Sequence, residues 1–282
     1  MSPLIRIAAT IAAAASVACG SSDEAAPREF RHVDGEAYTP PDGLVRLRKD
    51  GRGLTLEVRL VAAPVQTCRR LSLGAHTVTT CTWPAGTTPK VDNGGLVHIG
   101  WASANLDVET FNDGGAHILD PSLSWSAGES ISIAADFSLG PPIDATLVGP
   151  PLVVLQHPRF EPSFNGPPDA VGITLDASRD LHVEWEPAAI GTVRATLACS
   201  SFEAGHAAVV ESTAPADSGG MDLPAEMLSY LPTTGCTSGS GIQILAGDFR
   251  EVAAPAWRYQ IEVVRTAQTS EGVDASTALA PR

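Results

Sequence analysis

From Gly43 onward, apolar and polar side chains alternate along the chain. Leu54, Leu56, Val58 and Leu60 are separated by Thr55, Glu57 and Arg59. A period of two puts every second side chain on one face, the pattern of a strand with one side buried. A short strand is expected just before it, at 44–48. Asp50-Gly51-Arg52-Gly53 supplies the turn chemistry that joins the two as a hairpin. Further short strands are expected at 77–83, 96–101, 106–110, 130–137 and 143–148. Turn clusters such as Asp92-Asn93-Gly94-Gly95 and Asn112-Asp113-Gly114-Gly115 separate them. Closely spaced short strands with Gly, Asn and Asp between them predict an all-β sandwich.

Gly149-Pro150-Pro151 interrupts this pattern, because proline lacks the amide hydrogen that a ladder needs. A domain junction is expected there, giving two tandem β-sandwich domains at 43–149 and 150–266. In the second, strands are expected at 152–155, 172–175, 181–185, 192–199, 207–210, 241–245 and 257–264. In Leu181-His182-Val183-Glu184-Trp185 the apolar residues alternate, so Trp185 should point inward. One short helix is expected at 224–231, opened by Pro224 and closed by Pro232. Residues 267–282 are polar and rich in Ser, Thr and Ala, and read as a flexible tail.

The first residues follow another rule. Arg6 precedes an apolar run from Ile7 to Val17. Eleven residues are too few to span a bilayer, which takes about 20, but they suit the core of a secretory signal peptide. Ser16-Val17-Ala18-Cys19 resembles a bacterial lipobox, although Ser16 stands where that family usually has an aliphatic residue. The resemblance implies cleavage of 1–18 and lipidation of Cys19, with 19–42 as tether and N-terminal extension. Gly20 after the cysteine, by the same resemblance, favours the outer membrane over retention at the inner one. It does not choose the periplasmic or the surface face. An ordinary signal peptide cut after Ala18 would also export the chain. Lipidation of Cys19 leaves Cys68, Cys81, Cys199 and Cys236, an even set in an oxidising compartment. Local pairing, Cys68 with Cys81 and Cys199 with Cys236, keeps each bridge within one expected domain.

Charge narrows the partners. The chain of 282 residues carries 18 basic and 32 acidic side chains, a formal net charge of −14. Loss of 1–18 removes one Arg and no acid, moving this to −15. A general nucleic-acid binder needs a basic face, so nucleic acid is disfavoured as a partner. A protein or glycan partner remains compatible.

Candidate chemistry is sparse. Asp217-Ser218-Gly219-Gly220 resembles part of the nucleophile loop of chymotrypsin-like proteases. That family's preceding Gly is Ala216 here, and Gly74-Ala75-His76-Thr77 is a poor match for its histidine motif. The resemblance would make Ser218 the nucleophile of an exported serine hydrolase. The competing reading is a turn that feeds a strand. Gly239-Ser240-Gly241 lacks the spacing of a hydrolase elbow and reads as a flexible loop after Cys236. His76, His98, His117, His157 and His206 are scattered, with no His-x-His or His-Glu-x-x-His pair. A metal site would therefore have to be assembled by the fold. His98 and His182 are expected to face outward. Asp107, Asn112, Asp113 and Asp120 suggest calcium, but lack the Asp-x-Asp-x-Asp-Gly loop. Trp83, Trp101, Trp125 and Trp257 raise sugar stacking against core packing, and their places in strand patterns favour packing. No catalytic residue, cofactor or metal site is assigned.

Leu181-His182-Val183-Glu184-Trp185-Glu186-Pro187 resembles the second strand of fibronectin type III and related immunoglobulin-like modules. The resemblance implies a Trp buried between two sheets in the second domain. More widely, the chain resembles uncharacterised lipoproteins of high-GC, myxobacteria-like Gram-negative bacteria. Trp125-Ser126-Ala127-Gly128-Glu129, Cys199-Ser200-Ser201-Phe202 and the stretch 223–228 carry this likeness, with an arginine bias of 16 Arg to 2 Lys. No activity is established for that group, so none is implied. The expected function is that of an exported, lipid-anchored, non-enzymatic envelope protein acting as a structural or binding module. A carbohydrate- or calcium-binding adhesin and the Ser218 hydrolase are the alternatives.

Overall fold

The structure, a computed structural model, describes residues 28–278 apart from 52, 62–65, 86–90, 93, 111–115, 120–121, 163–170, 174, 202 and 233–237. In chain order its first strands are β1 (Glu36–Tyr38), β2 (Gly43–Asp50), β3 (Gly53–Val61), β4 (Thr67–Leu73) and β5 (His76–Thr82). Next come β6 (Val91–Asp92), β7 (Gly95–Trp101), β8 (Ala104–Thr110), β9 (Ala116–Ile118), β10 (Ser130–Phe137) and β11 (Ile143–Val148). Then follow β12 (Val154–His157), β13 (Glu161–Pro162), β14 (Val171–Gly172), β15 (Leu181–Trp185), β16 (Thr192–Ser201) and β17 (His206–Pro215). A 3-10 turn, Ala216–Ser218, leads into β18 (Gly220–Leu223) and the short helix α1 (Ala225–Leu228). Last are β19 (Ser238–Ala254), β20 (Trp257–Thr266), β21 (Gln268–Thr269) and β22 (Ser276–Ala278).

The chain is all-β. One large sheet runs in the order β1-β4-β5-β17-β16-β19-β20-β2-β3-β6, with β22 added to β19 and β9 to β3. Two four-stranded sheets, β11-β10-β7-β8 and β18-β15-β12-β21, are smaller. The expected hairpin between β2 and β3 is present, with Asp50 opposite Gly53 across a two-residue loop. Trp185 points inward as expected, at 1% exposure.

Two hydrophobic cores form on this frame. In one, Val97, Ile99, Ile131, Ile133 and Leu147 of the β11-to-β8 sheet meet Val45, Leu47, Val58, Ile261 and Val263 of the large sheet. In the other, Leu155, Val183, Trp185 and Leu223 of the β18-to-β21 sheet meet Val193, Leu197, Val210, Ile242 and Ile244. Strand register shows that both lie on the same side of the large sheet. Ala246 pairs with Arg265 and Asp248 with Val263, and residues two apart on a strand share a face. Ala246 belongs to the second core and Val263 to the first. Among the described residues, one broad sheet is thus capped side by side by two four-stranded ones, with β13 and β14 forming a separate two-stranded pair.

The cores are not contiguous in sequence, which corrects the expected division into 43–149 and 150–266. Val33 and Val78, from the first half, lie in the core of Trp185. Tyr259, Ile261 and Val263, from the second half, lie in the core of Trp101. Backbone ladders enforce the exchange: β5 pairs with β17, and β2 pairs with β20 in parallel. β19, 17 residues long, passes through both halves. The expected flexible tail at 267–282 is also corrected over its described part. β21 pairs with β12 and β22 with β19, while Ala267 and Ala275 are fully buried. Gly239 to Gly241, expected as a loop, opens β19.

Candidate functional site

Cys68 and Cys81 sit directly opposite each other on β4 and β5 and form a disulfide. Cys199 is also disulfide-bonded; its expected partner Cys236 lies outside the described residues. Cys19, the expected lipidation residue, lies outside them as well, as do Asn112, Asp113 and Asp120 of the calcium reading.

The Ser218 motif resolves into a turn. The residues around it close the 3-10 turn, with Gly219 left-handed at φ 74°. The Ser218 Oγ lies 2.7 Å from the Pro215 carbonyl oxygen and 3.2 Å from that of Gly220. Its single hydroxyl proton is used by backbone acceptors, which ties the turn rather than activating the oxygen. A different serine, Ser212, meets a histidine, 2.8 Å from His76 Nδ1. Ser212 is fully buried, out of reach of a substrate. Sequence spacing gave no sign of this pair, because 136 residues separate its members.

Trp101 and Trp125 are buried, and Trp257 stacks on Tyr259 at 5.7 Å between ring centres, so packing accounts for all three. Trp125 closes the junction between the cap sheets. Its Nε1 donates to the Pro150 carbonyl at 3.2 Å. A Cβ on Gly149 would stand 2.5 Å from Trp125 Cδ1, so only glycine fits under this ring. The Glu129 carboxylate accepts from the amides of Ser126, at 2.7 Å, and Ala102, at 2.9 Å. The Trp-x-Ala-Gly-Glu stretch is therefore a turn that pins the passage from one cap to the other.

A cleft of about 510 Å³ opens at this seam, lined by Val148, Pro150, Ile190, Thr213, Asp248 and Phe249. Val148 and Ile190 are exposed large apolar side chains, as is Leu152 three residues past Gly149. Exposed apolar surface gathered in a concavity marks a binding surface more than scattered residues do.

On the side of the large sheet away from the cores runs a line of alternating charges. Glu211 on β17, Arg194 on β16, Glu262 on β20, Arg46 on β2, and Glu57 and Arg59 on β3 meet in succession. Arg194 Nη2 lies 2.5 Å and Arg46 Nε 2.6 Å from the Glu262 carboxylate, and Gln260 donates to it at 2.6 Å. Glu262 is fully buried and Arg194 nearly so. Arg194 also lies 3.8 Å above the Phe249 ring. Burial alone pushes the Glu262 carboxyl up, but Arg46 and Arg194 outweigh it and hold the group below its ordinary value. Burial likewise works against the Arg46 charge, and Glu262 and Glu57 overcome it, raising that group. This line joins strands of both halves of the sheet. Sequence reading missed it because each member alone reads as the polar side of a half-buried strand.

The outer faces of the cap sheets carry the histidines expected to point outward. His98 Nδ1 lies 2.6 Å from Asp107, and His182 Nδ1 lies 2.6 Å from Asp222, each pair directly opposite across two strands.

No family model matches the chain, and no curated protein matches it. Among solved structures it is similar to a two-domain fibronectin type III segment of chicken tenascin, at 14% identity and a TM-score of 0.18. That match covers 74% of this chain and 98% of the tenascin segment. The strand pairing and the cores buried between facing sheets make the chain an all-β sandwich.

Proposed function

We propose that the chain is an exported envelope protein, anchored at the outer membrane by lipid on Cys19, whose β body is a non-enzymatic structural or binding module. The observation that carries this reading is the apolar run ending in Ser16-Val17-Ala18-Cys19, ahead of a disulfide-bonded body. Disulfides persist in oxidising compartments, so the Cys68–Cys81 bridge supports export. Each acyl CH₂ buried in a bilayer contributes about 0.8 kcal/mol, and stable anchoring takes two such signals. The seam cleft with Val148 and Ile190 is the surface best suited to a protein or glycan partner.

Metabolic labelling with a palmitate analogue tests the anchor. Wild-type protein is expected to take up label and to partition with membranes. Cys19→Ala is expected to lose the label. Equal labelling of the two would contradict lipidation at Cys19.

A further inference from the structure

The outer face of the cap sheet over Trp185 carries a row of imidazoles and carboxylates. His182 and Glu184 are two residues apart on β15 and share that face. Asp222 on β18 stands directly opposite His182, and His157 on β12 opposite Glu184. His182 Nδ1 lies 2.6 Å from the Asp222 carboxylate. A carboxylate accepts hydrogen bonds only, so the neutral ring carries its proton on Nδ1 and leaves the Nε2 lone pair free. That Nε2 lies 3.9 Å from Glu184 Oε2, and His157 Nε2 lies 3.9 Å from the same oxygen.

We propose that His157, His182 and Glu184 form a binding site for a divalent transition-metal ion of the zinc class, with Asp222 as the orienting partner of His182. Two imidazole nitrogens and one carboxylate oxygen are a donor set for such ions, which bind nitrogen at about 2.0–2.1 Å and oxygen at about 2.0–2.2 Å. A carboxylate behind a ligating histidine fixes its tautomer and its aim. Ligand atoms sharing a tetrahedral ion lie about 3.4 Å apart, from those bond lengths. As placed, no three such groups among the described residues stand at ligand distance. The two imidazoles each stand 3.9 Å from Glu184 Oε2, about half an ångström beyond that spacing, and all three side chains have room to turn. His157, His182 and Glu184 are 53%, 58% and 42% exposed. Three protein ligands leave the remaining position to water or to a donor from a bound molecule. The other cap sheet provides an internal control. His98 and Asp107 make the same pair, but their shallow pocket adds Asn105, Ser132 and Ala134 and no second imidazole.

Titration of the full-length protein with Zn²⁺ against a chromophoric chelator tests the proposal. Wild type is expected to bind one Zn²⁺ at this site. His157→Ala and His182→Ala should each weaken it by at least about tenfold, and Asp222→Asn by about 10–100-fold. His98→Ala should leave it unchanged, and excess Ca²⁺ should not compete. Thermal melts of the metal-free variants that match wild type confirm that the fold is retained. Zn²⁺ binding that is equal in wild type, His157→Ala and His182→Ala would overturn the site, as would competition by Ca²⁺.

Discussion

Glu262→Gln is expected to destabilise the protein by about 3–5 kcal/mol near neutral pH, the range for breaking a buried ion pair by removing one partner. Glu262 is fully buried between Arg46 and Arg194, 2.6 and 2.5 Å away. Glutamine keeps the volume and one acceptor, but removes the carboxylate closest to both guanidiniums and leaves them only the longer pairs to Glu57 and Glu211, at 3.4 and 3.8 Å. The effect depends on pH with a defined sign. The folded carboxyl is held below its ordinary value by its two Arg neighbours, against the opposing effect of burial. Its stabilisation is therefore complete above the unfolded carboxylate pKa of about 4.3 and is lost as pH falls through the lower folded value. Urea midpoints measured from neutral to acid pH should show wild type and variant converging as the pH drops. A variant as stable as wild type at neutral pH would refute a role for the line of charges.

Trp185→Ala is expected to cost about 3–5 kcal/mol, the range for deleting a fully buried aromatic. Trp185 is 1% exposed and faces the large sheet across the core that also contains Val193, Leu197 and Ile244. Its Nε1 donates to the Ala216 carbonyl at 2.8 Å, fastening the 3-10 turn of Ser218 to the core. Trp185→Phe keeps most of the apolar area and loses this bond, so it should cost less than the Ala variant. Equilibrium urea unfolding checks the order. An Ala variant within about 1 kcal/mol of wild type would mean that the ring is not a core element.

These two residues show what was legible in the sequence. Trp185 was readable because its strand alternates cleanly, and alternation is a local signal. The same holds for β2, β3, β7, β10 and β20, which all lie where the period of two predicts. β4 was missed: of its residues Thr67–Leu73 only Cys68 is buried, so no alternation shows. β19 was foreseen only at 241–245. Asp248, Arg250 and Glu251 break the apolar pattern where the strand crosses from one core to the other.

The division at Gly149-Pro150-Pro151 marked a real passage between cap sheets, and Trp125 and Glu129 explain the motif around it. It did not mark the limit of a folding unit, because the larger sheet is built from both sides of it. Pairings such as β2 with β20 join residues more than 200 positions apart, and composition carries no trace of them. Glu262 was hidden for the same reason: its partners Arg46 and Arg194 come from strands 216 and 68 residues away. The row from Asp222 to His157 also needed the fold. It contains no short His motif, only a cross-strand register and one i, i+2 pair.

Because both cores share one continuous sheet, the protein is expected to unfold as a single cooperative unit. Scanning calorimetry of wild type and Trp185→Ala distinguishes this from two independent units. Each protein should show one transition with equal calorimetric and van't Hoff enthalpies, shifted as a whole to lower temperature in the variant. Two separable transitions, with only one moved by Trp185→Ala, would contradict it.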